Sequence, residues 1–556
     1  MKLQYLVATS FFALLSYHGK AQVNVGIESN SQYYTEDDKI KLDETAKEDP
    51  FRSNNYIKID YLKNYFEVGL QAEGYLPKAL LNYNPDLEGI GLGTVYARYN
   101  NYNKGVDITL GHFYEQFGSG LALRSWEDRA LGINNAIFGG RLKVRLHPST
   151  NITLLGGKQR IGMGFDLSDG IIYGANTEID ITNILGKENY LLKFGASFVG
   201  RHEDLTNEYP TIDPNTNVLS TRLDYVGQKF TIGAEYTYKT EDATMDNMGG
   251  INSLYPERSR YGNAFLVNLG YTLEGFAANI NLRRMENMTF FSERNLNGNQ
   301  FNIGMVNYIP ALTKQYDFAL QNIFVYQSQP KYGYLTFQKL GEIGGQFDVF
   351  YELDKETFFG GKHGANLIIN GSYWAGLKTE EHPDGNLKST GLVDFGEKYY
   401  RDFAIEYRRK WSDKFSSILM YLNQYYNKEY VEETYGEIRS NVAVAEGLYF
   451  LKPTSSLRLE VQHQWADGDR KNWAGGTIEF MPNSKFSFFV HDIYNYGNDD
   501  PDMQLHYYSV GGSFTKGATR VAASYGRQRG GLICVGGVCR MVPEATGFTL
   551  NLTTNF

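Results

Sequence analysis

From about residue 50 to the C-terminus, apolar and polar positions alternate with period two in stretches of roughly ten residues. In YFEVGLQAEGY, which starts at Tyr65, Phe66, Val68, Leu70 and Ala72 share one face, and Glu67, Gly69, Gln71 and Glu73 the other. In SSLRLEVQHQW, Leu457, Leu459, Val461 and Trp465 oppose Arg458, Glu460, Gln462 and Gln464. In RDFAIEYRR, Phe403, Ile405 and Tyr407 oppose Asp402, Ala404, Glu406 and Arg408. A helix would lose this period within one turn. The pattern predicts an all-β chain whose strands each carry one apolar face.

The connections alternate as well. Short turns are predicted at Lys63-Asn64, in YNKG from Tyr102, in PST after His147, at Gly227-Gln228, at Glu274-Gly275, in WSDK from Trp411, in KPTS from Lys452 and at Gly517. Between them lie longer polar connections: 35–53, 77–88, 115–133, 201–218, 240–258, 374–397, 426–436 and 527–544. Short turns at one rim and long loops at the other define a transmembrane antiparallel β-barrel with its short turns in the periplasm. Reading Asn299–Tyr308 as a strand gives about 26 strands, with about 24 as the alternative; single-chain barrels of this kind are even-numbered.

Composition sharpens this reading. Aromatic residues make up 15% of the 556 positions, with 43 Tyr and 34 Phe, yet mean hydropathy is only -0.41. Many aromatic residues without long apolar runs suit a barrel, in which alternate residues face lipid and aromatic girdles mark the interfaces. At the N-terminus, Lys2, an apolar stretch from Leu6 to Leu15 and Gly19-Lys20-Ala21 form a secretory signal, residues 1–21, cut after Ala21. Residues 22–556 are then the barrel. The formal charge of -9 argues against a nucleic-acid partner, which would need a basic footprint.

The C-terminal GFTLNLTTNF puts Phe548, Leu550, Leu552 and Phe556 on one face. A strand that closes a barrel is paired on both edges and offers its apolar face to lipid. The terminal aromatic resembles the signal that barrel-assembly machinery reads in bacterial outer-membrane proteins. The expected surroundings are therefore outer-membrane lipid and lipopolysaccharide.

The densest polar stretch runs from Glu115 to Leu146. Its loop gathers Arg124, Trp126, Glu127, Asp128 and Arg129, with Gly118, Gly120 and Gly132 as turning points. The strand that follows turns Phe138, Leu142, Val144 and Leu146 to lipid, and Gly139, Arg141, Lys143 and Arg145 to the lumen. Charge rows facing one another across a pore form a selectivity constriction, and an inward-folded loop narrows a wide lumen. The strand–loop–strand resembles that of alginate-export and related polysaccharide porins, although GHFYEQFGSG has His112 where the family has Arg; Arg141 in GGRLKV matches. The Tyr/Phe/Asn/Lys-rich usage, the GKAQ signal end and the Cys-containing last loop resemble large, functionally unassigned outer-membrane barrels of Bacteroidota, which implies fold and location.

Cys534 and Cys539 flank VGGV in the last loop, and in an oxidising compartment this spacing predicts one disulfide. No HExxH or GxSxG occurs; the pairs His112 with Glu115 and His202 with Glu203-Asp204 read as polar lumen or loop residues. No catalytic residue, metal site or cofactor is expected. The acidic tips Asp37-Asp38 and Asp499-Asp500-Asp502 read as solvated loops. Strand signals begin at about Val23, so no separate N-terminal plug domain is expected. The expected function is a passive channel or transporter for small solutes or oligosaccharides, with 115–133 narrowing the lumen. The alternative is a scaffold in a larger outer-membrane secretion or assembly complex.

Overall fold

The computed structural model describes residues 22–556 apart from 206–208, 244, 247–252, 255–259, 297–298, 300–301, 310–311, 327–339, 382–386, 433, 435 and 536–537. Residues 1–21, expected from the sequence to be a secretory signal, lie outside the described residues.

Twenty-four antiparallel strands form one sheet that closes on itself. They are β1 (Gln22–Thr35), β2 (Phe51–Lys63), β3 (Phe66–Lys78), β4 (Glu88–Asn101), β5 (Val106–Phe113), β6 (Ile137–His147), β7 (Thr150–Arg160) and β8 (Leu167–Asp180). Next come β9 (Leu191–His202), β10 (Asn215–Val226), β11 (Phe230–Asp242), β12 (Arg260–Leu273), β13 (Phe276–Glu286), β14 (Gly341–Leu353), β15 (Ala365–Leu377) and β16 (Phe395–Lys410). The circuit ends with β17 (Phe415–Asn427), β18 (Glu437–Lys452), β19 (Ser455–Ala466), β20 (Trp473–Asn483), β21 (Phe486–Tyr494), β22 (His506–Lys516), β23 (Thr519–Gln528) and β24 (Ala545–Asn555). Each strand pairs with its sequence neighbours, and β24 pairs with both β23 and β1. Phe556 joins the seam through two backbone hydrogen bonds with Val25, at 2.9 and 3.1 Å.

The strand number corrects the larger count. Asn299–Tyr308 is not a strand; its described residues contribute only an isolated bridge from Met305 to Phe291. β13 and β14 pair directly, from Glu286↔Gly341 to Phe276↔Tyr351. One long connection, 287–340, therefore contains the segment expected from the sequence to be a strand, and the up–down order holds without it. The period-two signal fails here because both sides of the segment are covered: Ile303, Val306 and Tyr308 are all buried.

Exposure is inverted relative to a water-soluble protein. On β19, Leu459 and Val461 are 51% and 52% exposed, whereas Gln462 and Gln464 are 4% and 0% exposed. On β24, Phe548 and Leu550 are half exposed. Apolar residues outside and polar residues inside are stable only where the surroundings are lipid. No described helix is long and apolar enough to cross a membrane; the strands do so. The turns between β2 and β3, β6 and β7, β18 and β19 and β22 and β23 occupy only a few residues, whereas the opposite rim carries 36–50, 114–136, 243–259, 287–340 and 529–544. This rim is the extracellular one.

Candidate functional site: a filled lumen

Two connections from the extracellular rim fold back into the barrel. The first, 114–136, contains two small hairpins that pair Gln116–Phe117 with Leu123–Arg124 and Glu127–Asp128 with Ile133–Asn134. Gly118, Gly120 and Gly132 have positive φ and form its turns. Phe117, Leu121, Ala122, Leu123, Leu131 and Ile133 are buried almost completely. A loop with this much buried apolar surface belongs to a core, because taking that surface out of water is its main stabilisation.

The second, from 287 to 326, crosses the lumen. It first meets 114–136: Arg124 N donates to Val306 O at 2.8 Å, Tyr308 N to Gly120 O at 2.9 Å and Asn135 Nδ2 to Met305 O at 2.9 Å. Asn307 Nδ2 donates to the carbonyls of Leu121 and Met288, at 3.2 and 2.6 Å. Phe117, Leu123, Phe290 and Val306 then pack on inward-facing Leu155, Ile172, Val199 and Val218 of β7 to β10. Farther along, Tyr316, Phe318 and Leu320 pack on Ala404, Met420, Leu422, Val442 and Trp473 of the opposite wall. Phe324 and Tyr326 join Trp374, Tyr400 and Tyr426. Leu320 N donates to Gln462 Oε1 at 3.0 Å, and Trp374 Nε1 to Leu312 O at 3.2 Å.

Buried charge fixes the same segment. Arg294 pairs with Glu203 at 3.0 Å and with Asp242 at 2.9 Å. Arg201 pairs with Asp242 at 2.8 Å and donates to Phe291 O at 2.6 Å. Lys239 donates to Thr289 O at 2.7 Å. These side chains are all at most 3% exposed. Their hydrogen bonds offset the cost of desolvation, which unpaired ions could not bear. Beside this cluster, Glu293 accepts from Asp169 N at 3.0 Å. Burial raises its carboxyl above the ordinary value; the Asp169 hydrogen bond opposes this, while the charges of Asp169, Glu203 and Asp166 add to it.

The eight residues singled out in the polar stretch fall into separate groups. The Arg124 guanidinium lies over the rings of both Trp126 and Tyr308, at 4.4 and 3.9 Å. Arg129 pairs with Glu28 at 2.7 Å and Glu127 at 3.3 Å and covers the Tyr56 ring at 4.5 Å. Burial alone would lower its guanidinium; the charges of Glu127 and Glu28 outweigh that and hold it above its ordinary value. Asp128 accepts from Leu131 N at 3.0 Å. Arg141 and Lys143 converge on Glu115, at 3.3 and 2.7 Å. Arg145 instead engages the Tyr102 carbonyl at 2.5 Å, in a turn at the periplasmic rim. The eight thus do not make one ring: five brace the inward loop, two bind the Glu115 carboxylate and one closes a turn.

Neither histidine pair meets. His112 lies against Phe138 and Phe165, and His202 contacts Asn215 at 2.9 Å while Glu203 turns to Arg294. The register sets Cys534 opposite Cys539 in the hairpin 531–542. Their side chains lie outside the described residues, and the expected disulfide finds no support there. Asp37 is not a solvated tip: it clamps Arg527 at 2.7 Å and accepts from Thr546 at 2.6 Å. The alternation of the sequence does not mark 287–326 as a segment that enters the lumen. A signal for it existed in adjacent apolar pairs, Leu154-Leu155, Ile171-Ile172, Phe198-Val199 and Val218-Leu219, which make the wall apolar on both faces. A wet lumen would not need the second face.

An outer-membrane β-barrel whose lumen is occupied by its own extracellular connections is the class that this geometry defines. The chain belongs to the Family of unknown function (DUF6029), whose model matches residues 1–556. No curated protein matches the sequence. Among solved structures it is similar to the P pilus usher (PapC) translocation pore, at 9% identity and a TM-score of 0.42 over 96% of this chain and 99% of that one. It is also similar to the siderophore receptor PirA from Pseudomonas aeruginosa, at 10% identity and a TM-score of 0.40 over 97% and 81%. Acinetobacter baumannii OccAB3 matches at 9% identity and a TM-score of 0.35 over 97% and 99%. At these identities and scores nothing of their activity transfers to this chain.

Proposed function

We propose that the protein is a gated, passive outer-membrane channel for small polar solutes or oligosaccharides, narrowed at rest by the segments 114–136 and 287–326. The observation that carries this reading is the way the lumen is filled. The two segments are tied to each other by backbone hydrogen bonds and to the walls by side chains, and none of their described residues is a barrel strand. Such segments can move while the barrel stays closed on itself. The resemblance of the Glu115–Leu146 stretch to polysaccharide porins suggests the solute class. We assign Phe548, Leu550, Leu552 and Phe556 as the signal through which assembly machinery recognises β24.

Planar-bilayer conductance tests the reading on wild type, on a deletion of 118–132 and on the milder Leu123→Asp. Wild type should conduct rarely, and both variants should open the pore. Absence of conductance in all three, with the variants folded, would sink it. A filled lumen also suits a scaffold, for which the barrel is only a platform. Co-purification of a stoichiometric outer-membrane partner from native membranes would favour that alternative.

A further inference from the structure

The segment 287–326 is packed against two sides of the barrel and leaves a third side open. Toward β7 to β10 and toward β16 to β20 it meets large apolar side chains. Toward β22 to β24, beyond Tyr507, which stacks on Trp473, the inward side chains are small: Ser509, Ser524, Gly526, Gly547 and Thr549. A cavity of about 440 Å³ remains there, between this wall and the 3₁₀ turn Ala319–Ile323, with Gln32 and His491 on its flanks. At ~30 Å³ per water this is room for roughly 15 molecules.

Two arginines mark the extracellular end of the cavity. Arg527 and Arg529 line it, and no carboxylate lines it among the described residues. Asp37 neutralises Arg527 from the loop above. Arg529 donates to the Asn322 carbonyl of the crossing segment at 3.1 Å. The nearby Glu544 is shared by Tyr507 at 2.8 Å and Arg470 at 3.9 Å. Burial, with the Arg470 charge, lowers the Arg529 guanidinium to about 10, against the opposing influence of Tyr507, Glu544 and Asp469. An arginine in a narrow polar passage selects anions.

We propose that this cavity is the solute path past the resting plug, running along the inner face of β22 to β24 and β1, and that Arg529 makes it selective for small anions. The proposal rests on the channel reading above and adds its route and preferred charge.

Thiol labelling tests it. With Cys534 and Cys539 both replaced by Ser, Ser524→Cys would sit on the path, and Val442→Cys between the plug and the far wall, where Val442 is fully buried. Thr549→Cys replaces Ser524→Cys if the latter does not assemble. Each folded barrel is treated in liposomes with an anionic sulfonate methanethiosulfonate and with its cationic ammonium counterpart. The path residue should label at least about tenfold faster than Val442→Cys, because a thiol reacts only where reagent reaches it. The anionic reagent should be the faster, and Arg529→Gln should erase that preference. Equal rates at the two positions would overturn the route, and a faster cationic reagent would overturn the selectivity. Labelling needs no current. A labelled path in a barrel that never conducts would therefore fail the channel reading alone. Conductance from the 118–132 deletion with a protected Ser524→Cys would fail this proposal alone.

Discussion

Arg294 has two buried carboxylate partners, Glu203 and Asp242, and through them it fixes the start of the lumen segment to the wall. Removing one partner of such a cluster leaves charge buried without compensation, at a cost of about 3–5 kcal/mol. Arg294→Ala should therefore loosen the segment more than it loosens the barrel. Limited proteolysis should show new cleavage within 287–326 while the heat-resistant, fast-migrating form of the barrel persists. Arg294→Lys keeps the charge but loses the planar fork, and should fall between the two. Asp37 gives a second test at this scale. Burial raises its carboxyl, but the Arg527 and Thr546 hydrogen bonds outweigh burial and hold it below the ordinary value. A lowered folded value means that the clamp contributes fully above the ordinary carboxylate range, near 3.9, and is lost as pH falls through the lowered value. Corrected for the intrinsic pH dependence of amide exchange, protection of residues 36–50 should be high and flat from neutral pH down to about 4 and should fall below it. Asp37→Asn should exchange fast throughout and show no step.

The elements show where periodicity informs and where it misleads. On β3, β16 and β19 the alternating faces read from the sequence are the faces found, because lipid on one side and polar groups on the other force a strand to alternate. In 114–136 the charged residues Arg124, Glu127 and Arg129 stand out in the sequence, yet the residues buried are Phe117, Leu121 and Leu123. Leu123→Ala should destabilise the inward loop by about 2–5 kcal/mol, the usual result of a cavity in a close-packed site. The measurement is dye binding to newly exposed apolar surface in detergent-free nanodiscs. An unchanged signal would mean that the loop packs only loosely. The failure at Asn299–Tyr308 has the same origin: a segment covered on both sides within a lumen loses the two-sided contrast that marks a membrane strand.

For the whole molecule, closure depends on a pairing between the two ends of the chain, from Gly26↔Asn555 to Thr35↔Thr546. Deleting Phe556 removes the backbone bonds to Val25 and the last apolar residue on the lipid face. Assembly should slow, and the folded fraction on semi-native gels should drop, with little change in molecules that do fold. A deletion with wild-type assembly would argue that the seam alone carries the signal.

The sequence by itself determined the barrel, its orientation and its closing strand, because these follow from local alternation, turn length and an even strand number, which any stretch of chain reports on its own. It also placed 115–133 in a connection between strands, within the observed 114–136. Only the tertiary structure decided that two connections occupy the lumen. The residues that fill it, among them Leu123, Arg294, Val306 and Leu320, acquire their role from wall positions such as Leu155, Asp242 and Val442, which lie across the barrel or far along the chain. A loop facing water and a loop facing a lumen have the same local pattern. They differ in what surrounds them, and that is fixed only when the sheet closes.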